Sequence, residues 1–353
     1  MSTHRPPTAQ QQLEFLKKIQ RLFDEGGFNA TYKYALLASL VELAVEMGDD
    51  TGAPLELTLN EIAEKFAELY WPQTAPFVSR QSGTHKGILA QNLGKQAAVI
   101  NHLTILRRDG ARTVVEARKN ANWNKQIGII ATVVRNMPVN YLQNMGGGSV
   151  FFLYEPPGPR APLVLKPGVA YNLRRFQGFI QQLVRTGWIS HVRGNRDNAR
   201  IIGDADDLET FMFHTNRSRL KEVSAFLREY DGAKCFYCGS RLRDTGDVDH
   251  FIPWSHYPRD TGHNFVLAHK TCNGKKRDTL AGRRHLVHWI DRNKQSGSDF
   301  RSQMEKLGFM VDWPSTQTIA RWAYQQGIDV ESRAWLIGNE YESVDGRYIR
   351  LLS

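Results

Sequence analysis

The stretch of the chain richest in residue types that do chemistry is CFYCGSRLRDTGDVDHFIPWSHYPRDTGHNFVLAHKTCNGKKRD, residues 235–278, which contains all three cysteines. Cys235 and Cys238 form C-x2-C, a bite that lets two thiolates reach one tetrahedral ion, and His269 with Cys272 forms H-x2-C further along. Together they make a Cys3His set of the kind that closes around a structural Zn2+. Four protein ligands leave no position for substrate, so an ion bound there staples the fold and cuts nothing. The odd number of cysteines also argues against a disulfide framework.

Between the two halves of that staple, Asp249 and His250 stand side by side near the end of a short apolar run that Pro253 stops, with Asn264 and Asn273 downstream. D-H-x2-P, N-F-x-L and C-N-x2-K therefore occur in order, interleaved with the zinc half-sites. On these motifs the chain resembles the HNH nuclease family, also called the ββα-metal or His-Me finger fold, over residues 230–285. The resemblance implies a strand through Val248 to Ile252 that presents His250, a second strand near Phe265 to Leu267 preceded by Asn264, and a helix starting near Thr271 that carries Asn273. It makes His250 the general base that activates a water, with Asn264 holding the loop and orienting the imidazole. Asp249 and Asn273 would ligate one divalent ion. The third letter of the family's name is here an asparagine, which still offers an oxygen, and hard oxygen ligands suit Mg2+ or Mn2+.

These residue types fit phosphodiester hydrolysis. A histidine that titrates near neutrality takes a proton from water, and a cation relieves the charge that builds on phosphate and leaving oxygen. Lys275, Lys276 and Arg277 follow on the same helix and are expected to contact phosphates. His256 and His263 lie in the connecting loop as candidate assistants or as spare loop histidines.

Around this cluster the sequence predicts a mainly α protein, α+β overall. Residues 9–24, 28–47 and a helix capped by Thr58 and Glu61 open an all-helical region, residues 1–145, suited to sensing, partner docking, self-association or DNA binding. Gly146-Gly147-Gly148-Ser149 punctuates the chain. After it, SVFFLYE and PLVLKPG predict a hairpin, residues 170–186 a helix, and WISHVRGNRDNARIIG a second hairpin. That order suggests a winged-helix-like unit at 146–228, with the nuclease module at 229–290 and a helical extension at 291–353. Arg174, Arg175, Arg185, Arg193, Arg196 and Arg200 concentrate near the winged unit and suggest a surface that faces DNA.

The 353 residues carry 46 Lys and Arg against 36 Asp and Glu, a formal charge of +10, which favours a polyanionic partner. MSTHRPPTAQQQ lacks an apolar signal core and no run is long enough to span a membrane, so a bacterial-type cytoplasm, or a nucleus, is the expected location. The combined expectation is a metal-dependent DNA endonuclease, nicking or cutting both strands, in a restriction or antiphage setting. Two alternatives stay open: an RNA or tRNA nuclease of the same fold, and a catalytically silent, zinc-stapled DNA-binding adaptor.

Overall fold

From Tyr34 to Val45 the sequence carries a single charged residue, Glu42. A helix that apolar has no face to give to water and must be wrapped by others. In the computed structural model, which describes residues 4–78, 86–204, 207–214 and 217–352, this segment is a helix buried on every side. The chain divides into two compact units, Met1–His214 and Thr215–Ser353.

In the first unit α1 (Ala9–Glu25) starts at Thr8 with a capping box, followed by the buried α2 (Tyr32–Met47) and β1 (Leu55–Leu57). The capping box of Thr58 and Glu61 opens α3 (Leu59–Tyr70) as the sequence predicts, and α4 (Ala98–Arg108) and α5 (Trp123–Val134) follow. Then come β2 (Leu163–Leu165), α6 (Val169–Arg175) and α7 (Gln177–Gly194). α2 packs against α3, α6 and α7. Its approach to α7 is close enough that a Cβ on Gly187 would lie 2.5 Å from the Tyr34 ring.

Three expectations for this unit are corrected. The two runs flanking the Pro-Gly stretch do not form a ladder with each other. A single bridge, Tyr154 to Leu165, joins them, and β2 pairs antiparallel with β1, Leu55 opposite Leu165. The second predicted hairpin is helical: α7 runs to Gly194, and short turns at Arg196–Asn198 and Ala199–Ile202 complete the segment. Ile180, Val184, Trp188 and Val192 form one i, i+4 row that is buried along its whole length, and that packing overrides the strand propensity of the β-branched residues. Arg174, placed with the DNA-facing arginines, is 4% exposed. Its guanidinium donates to the carbonyls of Ala44, Val45 and Gly48 at the end of α2 and pairs with Asp50 at 2.9 Å, so it caps a buried helix.

The second unit begins with α8 (Arg217–Tyr230) and continues with β3 (Asp247–His250), β4 (Phe265–Ala268) and α9 (Lys270–Lys276). β3 and β4 are antiparallel, with His250 opposite Phe265. After them come α10 (Arg283–Gln295), α11 (Ser298–Lys306) and α12 (Trp313–Asp329). The extension expected to be helical also contains an antiparallel hairpin, β5 (Arg333–Ile337) with β6 (Glu340–Ser343), before α13 (Gly346–Leu351). The protein is thus mainly α with small two-stranded sheets, and among the described residues no helix is long and apolar enough to cross a membrane.

Two histidines in the core of this unit are buried as neutral rings. His263 stacks on Phe300 and meets Trp313 edge-on, while His285 stacks on Trp335 and bonds the Leu336 carbonyl at 2.6 Å. Burial, with Arg292 near one ring and Arg284 near the other, pushes both from 6.5 down to about 4. The unfolded chain then binds protons that the folded chain refuses between these values. Stability of the second unit should therefore be intact above pH 6.5 and fall as the pH drops towards 4, by up to about 1.4 kcal/mol per pH unit for each histidine. Urea denaturation at a series of pH values, monitored by tryptophan fluorescence, measures that slope.

Candidate active site

The Cys-x2-Cys segment is a tight turn. Gly239 donates its N–H to the Cys235 carbonyl at 2.9 Å and adopts the left-handed conformation, φ 71°, that a side chain resists. Both thiols consequently face one point. His269 caps the start of α9 and Cys272 sits in its first turn, so the other two donors arrive from one helix end. The ligand atoms of Cys235, Cys238, His269 and Cys272 all lie within 4.8 Å of one another.

The donor set fits zinc. Cys238 Sγ is 3.3 Å from His269 Nδ1, and His269 Nε2 donates to the Arg241 carbonyl at 3.3 Å, which leaves Nδ1 as the ligating nitrogen. Burial and the two neighbouring thiols push Cys272 up to about 12. Burial also raises Cys238, but hydrogen bonds from Ser240, Cys235 and His269 outweigh it and bring that thiol down to about 7. Three sulfurs crowded this closely become thiolates together only around a cation.

The Asp249-His250 pair ends β3. His250 Nε2 is 2.5 Å from Asp260 Oδ1, and its ring meets the edge of Phe265 with centroids 5.1 Å apart. Nδ1 takes no protein partner among the described residues. Asp249, 8% exposed, accepts from the Tyr237 hydroxyl at 2.5 Å and pairs with Lys276 Nζ at 3.1 Å. Burial first, and then the Asp249 charge, holds the Tyr237 phenol well above its usual range, so it remains a donor. Both contacts fall on Oδ2, which leaves Oδ1 as the oxygen open to an ion.

Asn264 uses both ends of its carboxamide on Ile252. Oδ1 accepts from the backbone N–H at 2.7 Å, and Nδ2 donates to the carbonyl at 2.9 Å. It pins the chain just past His250 as expected but does not touch the imidazole. Asn273 is half-buried on α9, which packs against β3, and its side chain makes no hydrogen bond to protein among the described residues. A carboxylate oxygen and an amide oxygen are hard donors, of the kind that suit Mg2+ or Mn2+.

The three basic residues of α9 separate. Lys275 and Arg277 are exposed, but Lys276 is 0% exposed and donates to the His250 carbonyl at 2.9 Å, so the expected phosphate contact at Lys276 is replaced by a structural one. His256 bonds the Asp278 carbonyl and His263 lies in the aromatic core, so neither faces His250. Sequence reading overlooked Asp260 and Tyr237. Asp260 lies ten residues after His250 and Tyr237 inside the Cys-x2-Cys turn, and neither belongs to a periodic pattern.

The extension supports all of this. Tyr237 packs edge-on against Trp335 of β5 and against His285 of α10, and Phe251 stacks on Trp289 at 4.6 Å. Trp289 and Asn293 donate to the His263 carbonyl, which fixes the turn before β4.

Comparison with known families divides the chain where its contacts do. A domain of unknown function (DUF8808) matches residues 12–209, and the HNH endonuclease family matches residues 235–279. No curated protein and no solved structure matches the chain. The chain belongs to the family defined by the domain of unknown function (DUF8808), and its second unit carries an HNH endonuclease module with a zinc-type Cys3His cluster.

Proposed function

We propose that the second unit hydrolyses phosphodiester bonds of DNA as a metal-dependent endonuclease. The observation that carries this reading is His250: one ring nitrogen pairs with Asp260, the other has no partner among the described residues, and the preceding residue on the strand is a carboxylate with one oxygen unused among them. In this reading His250 Nδ1 accepts the proton of the attacking water, and the imidazolium that results faces the Asp260 carboxylate. Asp249 and Asn273 would hold a divalent cation, which would supply positive charge to offset that building on the phosphate and the departing oxygen. Lys275 and Arg277, exposed beside Asn273, attract the phosphate backbone. Asn264 keeps residues 251 and 252 in place so that His250 stays at the end of its strand. The Cys3His zinc takes no part in bond cleavage.

The adaptor alternative requires a degenerate site, whereas the four side chains it would have lost are all present. RNA remains an outcome of the test, because nothing in this set of residues reads the sugar. The first unit contributes a basic exterior, with Arg193, Arg196 and Arg200 exposed at and beyond the end of α7.

Three outcomes follow for the full chain. With supercoiled plasmid and total RNA as substrates, Mg2+ should give nicked or linear plasmid, EDTA should give none, and His250→Ala should lose cleavage by at least about a thousandfold while keeping its zinc. Cleavage by His250→Ala at the wild-type rate ends the assignment. Elemental analysis should find one zinc per chain, and Cys272→Ser should remove it together with the fold of the second unit, because such sites supply on the order of 10 kcal/mol. A cooperative, active Cys272→Ser protein without zinc contradicts the staple. Reversing charge with Arg193→Glu and Arg196→Glu should weaken DNA binding and lower the slope of log affinity against log salt by about 2. Titration of a fluorescent duplex at several salt concentrations reads this, and an unchanged slope removes the first unit's surface from DNA contact.

A further inference from the structure

We infer that Asp260 is the positioning residue for the general base, and that this chain builds its base as a carboxylate–imidazole pair. The inference rests on the nuclease reading above and goes beyond it. His250 Nε2 and Asp260 Oδ1 are 2.5 Å apart, with the two side chains 19% and 11% exposed. A carboxylate only accepts, so the proton of a neutral ring must sit on Nε2, and the lone pair is left on Nδ1. A lone imidazole in water divides its proton between the two nitrogens and turns freely. Here the bond selects one tautomer and the Phe265 edge restricts the ring's rotation.

Asp260 is itself placed by its flanks. On one side the Pro253 carbonyl accepts from His256 and Tyr257, and Arg259 donates back to the Tyr257 carbonyl, which coils the loop. On the other, Thr261 forms a bridge with Met310 and Gly262 donates to the Met310 carbonyl at 2.8 Å. A side chain at Gly262 would meet Val311 at 2.9 Å, so the chain passes close under the C-terminal extension there. Asn264, the residue that the family resemblance nominates for orienting the imidazole, is fully used by Ile252. The orienting function therefore falls to Asp260.

The experiment compares full-length wild type, His250→Ala, Asp260→Ala and Asp260→Asn on an oligonucleotide duplex with Mg2+, after zinc content and thermal unfolding are shown to match. For Asp260→Ala, kcat should fall about 10- to 100-fold while KM stays within about twofold, as when a ligand's orienting partner is removed. Nitrogen-15 shifts of the His250 ring, identified by its absence in His250→Ala, should show Nε2 protonated and Nδ1 bare in wild type. Asp260→Ala should show a mixture of tautomers. If Asp260→Ala fails to fold, the isosteric Asp260→Asn carries the test, because its amide can donate as well as accept and disturbs the same tautomer. Wild-type kcat in the folded Asp260 variant, or an unchanged ring tautomer, overturns the inference. Full activity of His250→Ala removes His250 as the base and overturns the inference with it, whereas no Mg2+-dependent cleavage by wild type removes the nuclease reading, and the ring shifts then still decide whether Asp260 holds the imidazole.

Discussion

A single buried ammonium, that of Lys276, joins the pieces of the candidate site. Moving such a group out of water costs several kcal/mol unless it is paired and hydrogen-bonded. Here it is paired with Asp249 on Oδ2 and donates to the carbonyl of His250, with the Tyr237 ring 5.9 Å away. The helix that carries Lys276 thus cannot shift against the strand that carries the acid and the base without stranding a charge. Asn273, three residues earlier on α9, lies on the same side of the helix.

The lock is rigid because aromatic packing surrounds it. Tyr237 holds Asp249 from the zinc turn, and Trp335 and His285 hold Tyr237. The family match ends at residue 279, yet these supports come from residues 285 to 335. The zinc cluster and the C-terminal hairpin therefore act on the site through one phenol, from opposite ends of the unit's sequence. Neither touches the base.

The parts legible in the sequence were those with a fixed chemical spacing. The C-x2-C and H-x2-C bites predicted the donor cluster, and the family resemblance carried by D-H, N and N in order implied the strand, loop and helix that hold them. Helices with clear caps, such as that at Thr58, were also legible. What failed was decided by tertiary contact. Trp188 to Val192 reads as strand by residue type, but the row Ile180, Val184, Trp188, Val192 has helical period and a core to fill. Arg174 reads as a surface cation by composition and is a buried cap by position, because the end of α2 exposes carbonyls to it. Lys276 was grouped with two surface neighbours, and helical geometry turns one of three consecutive residues inward. Asp260 carries no spacing signal, since its meaning depends on where a ten-residue loop returns.

Asp249 and His250 are sequence neighbours of opposite chemical character, and each has its own partner from a different segment: Lys276 for the acid, Asp260 for the imidazole. Among the described residues Asp249 keeps one oxygen and His250 one ring nitrogen without a protein partner. Lys276 also offsets the charge of Asp249, so under the proposed function part of the charge that completes cation binding would come from the substrate's phosphates. In that reading cation and substrate would be coupled by electrostatics through Lys276, a contact separate from the Asp260 pairing that leaves His250 Nδ1 without a partner among the described residues.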